Sequence, residues 1–159
     1  MMKTEQGRAA TRAHKTEDND NRIPSRERVR FLKQTAVFST FDRAHLDDIA
    51  WVMNERTAGH GEWLCHTGDK GDELYIIHTG NVQVIRETGP EEAIVYTAGP
   101  GEVLGEMSVL GHIPRTAGLR VMGPTRLFVI KGPWFIQLLR ENADMSLAVI
   151  EMLVRRLAA

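Results

Sequence analysis

Residues 73–85 read Glu-Leu-Tyr-Ile-Ile-His-Thr-Gly-Asn-Val-Gln-Val-Ile, two short runs of aliphatic and aromatic residues on either side of Gly80. Runs of this length, rich in β-branched residues and bounded by glycine, are typical of β-strands. Similar runs occupy residues 62–65, 93–96, 118–122 and 126–130. The glycines between the runs are predicted to lie at turns, and they are Gly61, Gly68, Gly71, Gly80, Gly89, Gly99, Gly101 and Gly105. This spacing predicts an antiparallel sandwich or barrel rather than alternating βαβ units.

Helical periodicity lies on both sides of the strand region. Before it, Ser25 and either Thr40 or Asp42 are candidate helix N-caps, and the apolar positions 46, 49, 50 and 53 have a 3-4 spacing. After it, Pro133 is placed for a first helical turn, and an apolar stripe follows at Leu147, Ile150, Leu153, Val154 and Leu157. We therefore predict an α+β fold, in which an antiparallel, jelly-roll-like β-roll (a double-stranded β-helix) is flanked by N-terminal and C-terminal helices.

The chain of 159 residues and 17.9 kDa has the size of one ordinary domain. Residues 1–24 are almost entirely polar and are predicted to form a flexible arm, because they offer too little apolar surface to offset the entropy of ordering. A single domain is predicted over residues 25–159. Its parts are helices within 25–54, a β-roll over 55–131 and C-terminal helices within 132–158.

Composition excludes several classes of function. Twenty Lys and Arg against 21 Asp and Glu give a formal net charge of −1, so no global electrostatic feature favours direct DNA binding or a membrane surface. The longest aliphatic runs, such as residues 127–130, are far too short to span a bilayer. The single cysteine, Cys65, cannot form an intramolecular disulfide, which suits a reducing compartment. We expect a cytoplasmic domain.

The segment from Gly99 to Ala117 lies between two predicted strands and is much longer than a plain hairpin requires. Gly105 permits close backbone approach, and residues 106–110 are long enough for one or two helical turns, whose first amides lack intrahelical acceptors and bind anions. Arg115 supplies a bidentate fork for a phosphate, and Glu106 supplies an acceptor suited to a sugar hydroxyl. Together these groups predict a ribose-phosphate site.

The sequence resembles the cyclic nucleotide-binding domain family over residues 29–157. The family's phosphate-binding cassette pattern is matched within residues 104–117, by Leu-Gly-Glu-Met-Ser-Val-Leu at 104–110 and Pro-Arg-Thr-Ala at 114–117. Its earlier signatures are similar to Gly-Glu at 61–62 and Gly-Asp-Lys-Gly-Asp-Glu-Leu-Tyr at 68–75.

The resemblance implies that cAMP or cGMP is the ligand and that the chain needs no cofactor. In this interpretation Glu106 accepts a hydrogen bond from the ribose 2′-hydroxyl, beside Gly105. The amides of Met107 and Ser108 and the side chain of Arg115 hold the cyclic phosphate. Thr116 is at the position whose hydroxyl can reach a guanine amino group or the phosphate. The resemblance also implies that an apolar residue of the last helix caps the base, with Leu147, Ile150 and Val154 as candidates.

The implied function is a sensor or regulatory module that signals by movement of its C-terminal helix. Its partner would be an effector protein acting in trans or an effector domain missing from this chain. A homodimer through the C-terminal helix is a further expectation. The alternative hypothesis is a ligand-free interaction or dimerisation domain on the same scaffold.

Other interpretations of the same residues are weaker. Glu106 and Arg115 could simply pair with each other as a structural salt bridge. His60, Cys65 and His66 fit no compact metal site, so no metal is expected. An enzyme is not expected either, because no credible pair of nucleophile and base is present.

Overall fold

The computed structural model describes residues 22–159, so residues 1–21 of the predicted arm lie outside the described part of the chain. Two compact units are present within these residues. One is built from residues 22–53 and 133–159, and the other is Asn54–Gly132.

The first unit is helical. Its helices are α1 (Ser25–Lys33) and α2 (Arg43–Val52), together with α4 (Gly132–Glu141, whose first residue belongs to the other unit) and α5 (Ala143–Ala158). Asp42, one of the two N-cap candidates that the sequence offers, caps α2 by accepting a hydrogen bond from the amide of His45, and the other candidate, Thr40, does not. The prediction of Ser25 as an N-cap is wrong by one residue, because the N-cap position of α1 is Pro24 and no side chain caps it.

The second unit is an antiparallel sheet with a short helix inserted into it. Its strands are β1 (Asn54–Ala58), β2 (Trp63–Cys65), β3 (Glu73–Thr88), β4 (Glu91–Ala98), β5 (Val103–Leu104) and β6 (Gly118–Lys131). The strand order is β1-β6-β3-β4, and β2 pairs with β6 while β5 pairs with β3. Helix α3 (Glu106–Gly111) lies between β5 and β6. The predicted α+β fold with a β-roll is confirmed.

The prediction of separate short strands is wrong in two places. The runs 118–122 and 126–130 belong to one continuous strand, β6. Gly80 does not separate two strands at a turn, since β3 continues through it from Glu73 to Thr88 with register shifts on both sides. A Cβ at Gly80 would lie 2.7 Å from the main-chain oxygen of Pro124. Glycine at this position therefore serves a β-bulge in which two backbones come close together.

The core of the second unit is a cluster of buried residues drawn from all of its strands. Four consecutive residues, Leu74 to Ile77, are buried at the start of β3. Such a run faces apolar surroundings on both sides of the strand, unlike the alternating pattern of a half-exposed strand. The buried start of β3 is where the candidate site is built.

Candidate functional site

The residue before helix α3 is a glycine, and its backbone conformation requires one. Gly105 is its N-cap and has a φ of 84°, in the left-handed region that L-residues with a side chain rarely adopt. The turn places Glu106 first in the helix, followed by Met107 and Ser108. At the other end His112, with φ 52°, donates its amide to the main-chain oxygen of Ser108 and closes the helix.

The side chain of Arg115 is directed into the protein and is 5% exposed. Its Nη1 donates to the main-chain oxygen of Gly105 at 3.0 Å and to Oγ of Ser108 at 2.8 Å. Its Nη2 donates to the main-chain oxygen of Glu73 at 2.7 Å. The hydroxyl of Ser108 in turn donates to the oxygen of Gly105 at 3.1 Å. Three of the predicted site residues, Gly105, Ser108 and Arg115, are therefore joined directly.

The backbone of Arg115 is fixed by the loop that precedes β3. Its amide donates to the oxygen of Asp69, and its own oxygen accepts from the amide of Gly68, both at 2.8 Å. In the same loop, a Cβ at Gly71 would lie 2.8 Å from Cδ of Arg115. Glycine at 71 thus leaves the space that the arginine side chain occupies.

Two neighbours of Arg115 form a polar group of their own. Tyr75 is 2% exposed, and the centroid of its ring lies 5.5 Å from Cζ of Arg115. The hydroxyl of Tyr75 donates to Oε1 of Glu73 at 3.0 Å, and Nζ of Lys131 lies 2.9 Å from Oε2 of Glu73. Burial, reinforced by the carboxylate of Glu73, raises the pKa of Tyr75 to about 12.

A buried thiol lies close enough to Arg115 for the two to interact electrostatically. Cys65 is 8% exposed, and its Sγ lies 3.7 Å from the main-chain oxygen of Ala117. Burial raises the pKa of this thiol above its ordinary value of 9.0, and the positive charge of Arg115 opposes the rise. The thiol is therefore held in its neutral form and does not neutralise the guanidinium.

The other three predicted site residues differ in their exposure to solvent. Glu106 is 1% exposed, whereas Met107 is 37% exposed and Thr116 is exposed at the start of the segment leading into β6. Within residues 22–159, Glu106 and Arg115 form no ion pair with each other, since the guanidinium donates to Gly105, Ser108 and Glu73. The hypothesis of a simple structural salt bridge between them is therefore wrong.

Sequence reasoning did not assign a site role to Gly71, Glu73 or Tyr75. All three lie within the Gly-Asp-Lys-Gly-Asp-Glu-Leu-Tyr stretch that carries part of the resemblance. One signal in the sequence could have indicated them. Tyr75 lies in an apolar run, where burial is expected, and the acidic Glu73 directly precedes that run. The contact with Arg115 joins positions 40 residues apart, and no local pattern predicts it.

Two features are absent from the described residues. No helix among them is both long enough and apolar enough to cross a bilayer. In the same part of the chain, no group of three or more His, Cys, Asp or Glu side chains is arranged to hold a metal ion.

Comparison with known proteins gives the family. The cyclic nucleotide-binding domain profile matches residues 55–142, which is more than half of the chain. A cyclic nucleotide-gated channel of Caenorhabditis elegans is 29% identical over 119 residues, which make up 71% of this chain and 16% of the channel. The chain therefore belongs to the cyclic nucleotide-binding domain family, and it spans a small part of that curated relative.

Two solved structures have the same fold. The Thermus thermophilus catabolite activator protein matches with a TM-score of 0.72 at 26% identity, over 78% of this chain and 59% of that one. The regulatory domain of Toxoplasma gondii PKA, crystallised with cAMP, matches with a TM-score of 0.68 at 25% identity, over 77% of this chain and 46% of that one. Domains of this family are regulatory rather than catalytic.

Proposed function

We propose that this chain is a cyclic nucleotide sensor that binds cAMP or cGMP at the α3 cassette and transmits the binding event through its C-terminal helix. Arg115 and the amides of Met107 and Ser108 hold the cyclic phosphate. Glu106 accepts a hydrogen bond from the ribose 2′-hydroxyl, and Thr116 contacts a guanine amino group or the phosphate. The chain performs no reaction of its own.

The observation that carries this proposal is that Arg115 is buried and forms no ion pair within the described residues. A guanidinium that is 5% exposed, with no ion pair to a carboxylate in the described residues, is a buried positive charge without a counter-charge. Burying an unpaired charge is costly, and proteins normally pair it. A bound anion would supply the missing partner, and a cyclic phosphate carries the single negative charge required.

The hydrogen-bond inventory of the guanidinium supports the same conclusion. Arginine has five N–H donors, and the three hydrogen bonds from Nη1 and Nη2 use three of them. Nε is buried and has no acceptor within the described residues. One N–H on Nε and one on Nη2 therefore remain, and two such donors suit the paired oxygens of a phosphate.

The burial of Nε of Arg115 also favours a switch between two conformations over a rigid binding pocket. A phosphate reaches this nitrogen only if the surrounding cassette opens or Arg115 turns outward. Ligand binding energy would then shift an equilibrium between two conformations, as population shift requires. Micromolar binding corresponds to about 8 kcal/mol, and only the difference in affinity between the two conformations does switching work.

In this proposal, helix α5 transmits the binding event to the effector. Leu147, Ile150 and Val154 are exposed on this helix, and one of them would cap the base when the helix moves. We propose a cytoplasmic location and an effector that is either a separate protein or a further domain absent from this chain. No direct contact with DNA or a membrane is part of the proposal.

A parallel titration with cAMP and cGMP by isothermal calorimetry tests the proposal. We expect binding in the micromolar range or tighter for at least one nucleotide. Arg115→Leu removes a charged hydrogen-bond partner and should cost about 2–5 kcal/mol of affinity. Arg126→Leu is the matched control, because Arg126 is an exposed arginine of β6. No heat from either nucleotide with folded protein would count decisively against the sensor.

The alternative is a ligand-free interaction or dimerisation domain, including a homodimer through α5. The observation that favours it is an apolar stripe on α5, where Leu147, Ile150, Val154 and Leu157 are 58%, 53%, 58% and 75% exposed. Sedimentation velocity of the parent chain and of Val154→Glu tests this hypothesis. A dimer that the substitution dissociates, combined with an absence of nucleotide binding, would favour the alternative over the sensor.

A further inference from the structure

We propose that Tyr75, held in place by Glu73 and Lys131, is the positioning residue that presents Arg115 to an anionic ligand without neutralising its charge. The inference rests on the proposed function, because the anion is taken to be the cyclic phosphate. It adds a supporting group that lies on β3 and β6, outside the cassette.

The first step is the contact between the ring and the guanidinium. Cζ of Arg115 lies 5.5 Å from the centroid of the Tyr75 ring, and the two residues are 5% and 2% exposed. A cation over an aromatic face is attracted by the ring quadrupole, and the attraction is largest where water is excluded. The ring therefore stabilises the buried charge and supports the guanidinium from one side.

The second step is the anchor of the ring. The Tyr75 hydroxyl donates to Oε1 of Glu73 at 3.0 Å, and Lys131 pairs with Oε2 of the same carboxylate at 2.9 Å. Glu73 and Lys131 face each other in the register of β3 and β6. The main-chain oxygen of Glu73 accepts from Nη2 of Arg115 at 2.7 Å. Glu73 thus fixes the ring with its side chain and the guanidinium with its backbone.

The third step concerns charge. A carboxylate in contact with Arg115 would hold it equally well but would neutralise it, and a neutralised guanidinium attracts a phosphate weakly. The nearby carboxylate of Glu73 is instead engaged by Tyr75 and Lys131. The phenol is neutral at physiological pH, consistent with its pKa of about 12. Within residues 22–159, the groups that contact the Arg115 guanidinium are therefore neutral: two main-chain oxygens, a hydroxyl and a ring.

Calorimetry with cAMP and cGMP on the full chain tests this assignment. Tyr75→Leu removes the ring and should weaken binding of the preferred nucleotide by about 10- to 30-fold. Tyr75→Phe keeps the ring but loses the bond to Glu73, and we expect a loss of only about threefold. Phe128→Leu is the matched control, since Phe128 is fully buried on β6 and its ring packs against His78. It should lower stability without a comparable loss of affinity.

A second arm separates positioning from packing. In an Arg115→Lys background the planar guanidinium is already absent, so Tyr75→Leu should change affinity by less than about twofold. An equal loss of affinity in both backgrounds, or an equal loss with Phe128→Leu, would overturn the assignment. Should Tyr75→Leu fail to fold, Tyr75→Phe decides the matter, because binding as tight as the parent's would refute the anchoring role.

A third arm does not depend on the ligand. Urea unfolding of the unliganded chain gives a double-mutant cycle between Tyr75→Leu and Arg115→Lys, and we expect the two effects to be non-additive. If the parent binds neither nucleotide, the proposed function fails while this coupling still reports the contact. If the parent binds and the two substitutions act additively on both affinity and stability, the positioning role fails while the sensor stands.

Discussion

Gly105 and Arg115 are so close that no side chain fits between them. A Cβ at Gly105 would lie 2.5 Å from Nη1 of Arg115 and 3.2 Å from the main-chain oxygen of Glu73. The φ of Gly105 is 84°, which adds a backbone penalty for any other residue. Gly105→Ala should therefore displace the guanidinium as well as strain the turn. We expect calorimetry to show a loss of nucleotide affinity of about tenfold or more, equivalent to ~1.4 kcal/mol.

The control for that substitution is Gly61→Ala. Gly61 has a nearly equal φ of 81°, but a Cβ there would meet no heavy atom of residues 22–159 within 4 Å. Both variants should lose about 1–2 kcal/mol of unfolding free energy through backbone strain, and only Gly105→Ala should also lose affinity. Equal affinities for the two variants would show that the contact with Arg115 does not matter for binding.

A second prediction concerns the helical unit. Arg28 of α1 is fully buried, with Nε donating to the oxygen of Ile23 at 2.9 Å and Nη1 donating to the oxygens of Ala50 at 3.0 Å and Met53 at 2.6 Å. The last two acceptors lie at the C-terminal end of α2, where carbonyls lack intrahelical donors. Arg28→Met fills similar space but leaves these carbonyls without their donor. The free energy of unfolding should fall by about 2–4 kcal/mol, as measured by urea denaturation.

Arg30→Met is the comparison for Arg28→Met. Arg30 lies in the same helix but is exposed, so its replacement should change stability by no more than about 0.5 kcal/mol. Similar effects of the two substitutions would mean that the buried donors of Arg28 contribute little.

Local features of the site could be predicted from the sequence because they depend on local geometry. The sequence predicts a turn at Gly105 and one or two helical turns over residues 106–110, and the structure has both; that the turn is left-handed is a finding of the structure. Arg115 could be proposed as a phosphate ligand for its chemistry alone. The assignment of a ligand to these residues stays a prediction.

Features that depend on distant residues could not be predicted. The bulge at Gly80 resembles a turn in sequence, because a glycine needed for a turn and a glycine needed for close backbone approach leave the same signal. The support of Arg115 by Glu73 and Tyr75 joins the start of β3 to a loop about 40 residues later, through a main-chain oxygen that every residue type possesses. Such an acceptor has no signature in a sequence.

A third prediction follows from the environment of Tyr75. The chain has two tyrosines, and burial together with the Glu73 carboxylate raises the pKa of Tyr75 to about 12. Absorbance at the phenolate band should show one phenol ionising only near pH 12, and Tyr75→Phe should remove that late step while Tyr96→Phe leaves it. Because the folded pKa is above the ordinary value of 10.0, the neutral phenol's contribution to stability is complete below pH 10 and is lost as the pH rises towards 12. A late step that survives in Tyr75→Phe would show that the phenol in question is not Tyr75.

A fourth prediction concerns the loop that contacts the Arg115 backbone. Oε1 of Glu87 accepts from the amide and hydroxyl of Thr67 at 2.8 and 3.1 Å, and Oε2 lies 2.9 Å from Nδ1 of His66. These bonds, that from the Thr67 amide first, lower the pKa of Glu87 below its ordinary value of 4.5. A lowered folded pKa means that the carboxylate stabilises the fold above pH 4.5 and that this contribution is lost as the pH falls through the folded pKa.

Glu87→Gln should therefore be less stable than the parent at pH 7, by about 0.5–1.5 kcal/mol in urea denaturation, and the difference should shrink as the pH is lowered below 4.5 through the folded pKa. Glu91→Gln, at an exposed position where β4 begins, should show a difference of no more than about 0.5 kcal/mol over the same pH range. Because Thr67 directly precedes Gly68, whose amide binds the main-chain oxygen of Arg115, loosening this loop should also raise hydrogen exchange at the Gly68 amide. A difference between Glu87→Gln and the parent that stays constant from pH 7 to pH 3 would mean that the ionised carboxylate does not secure the loop.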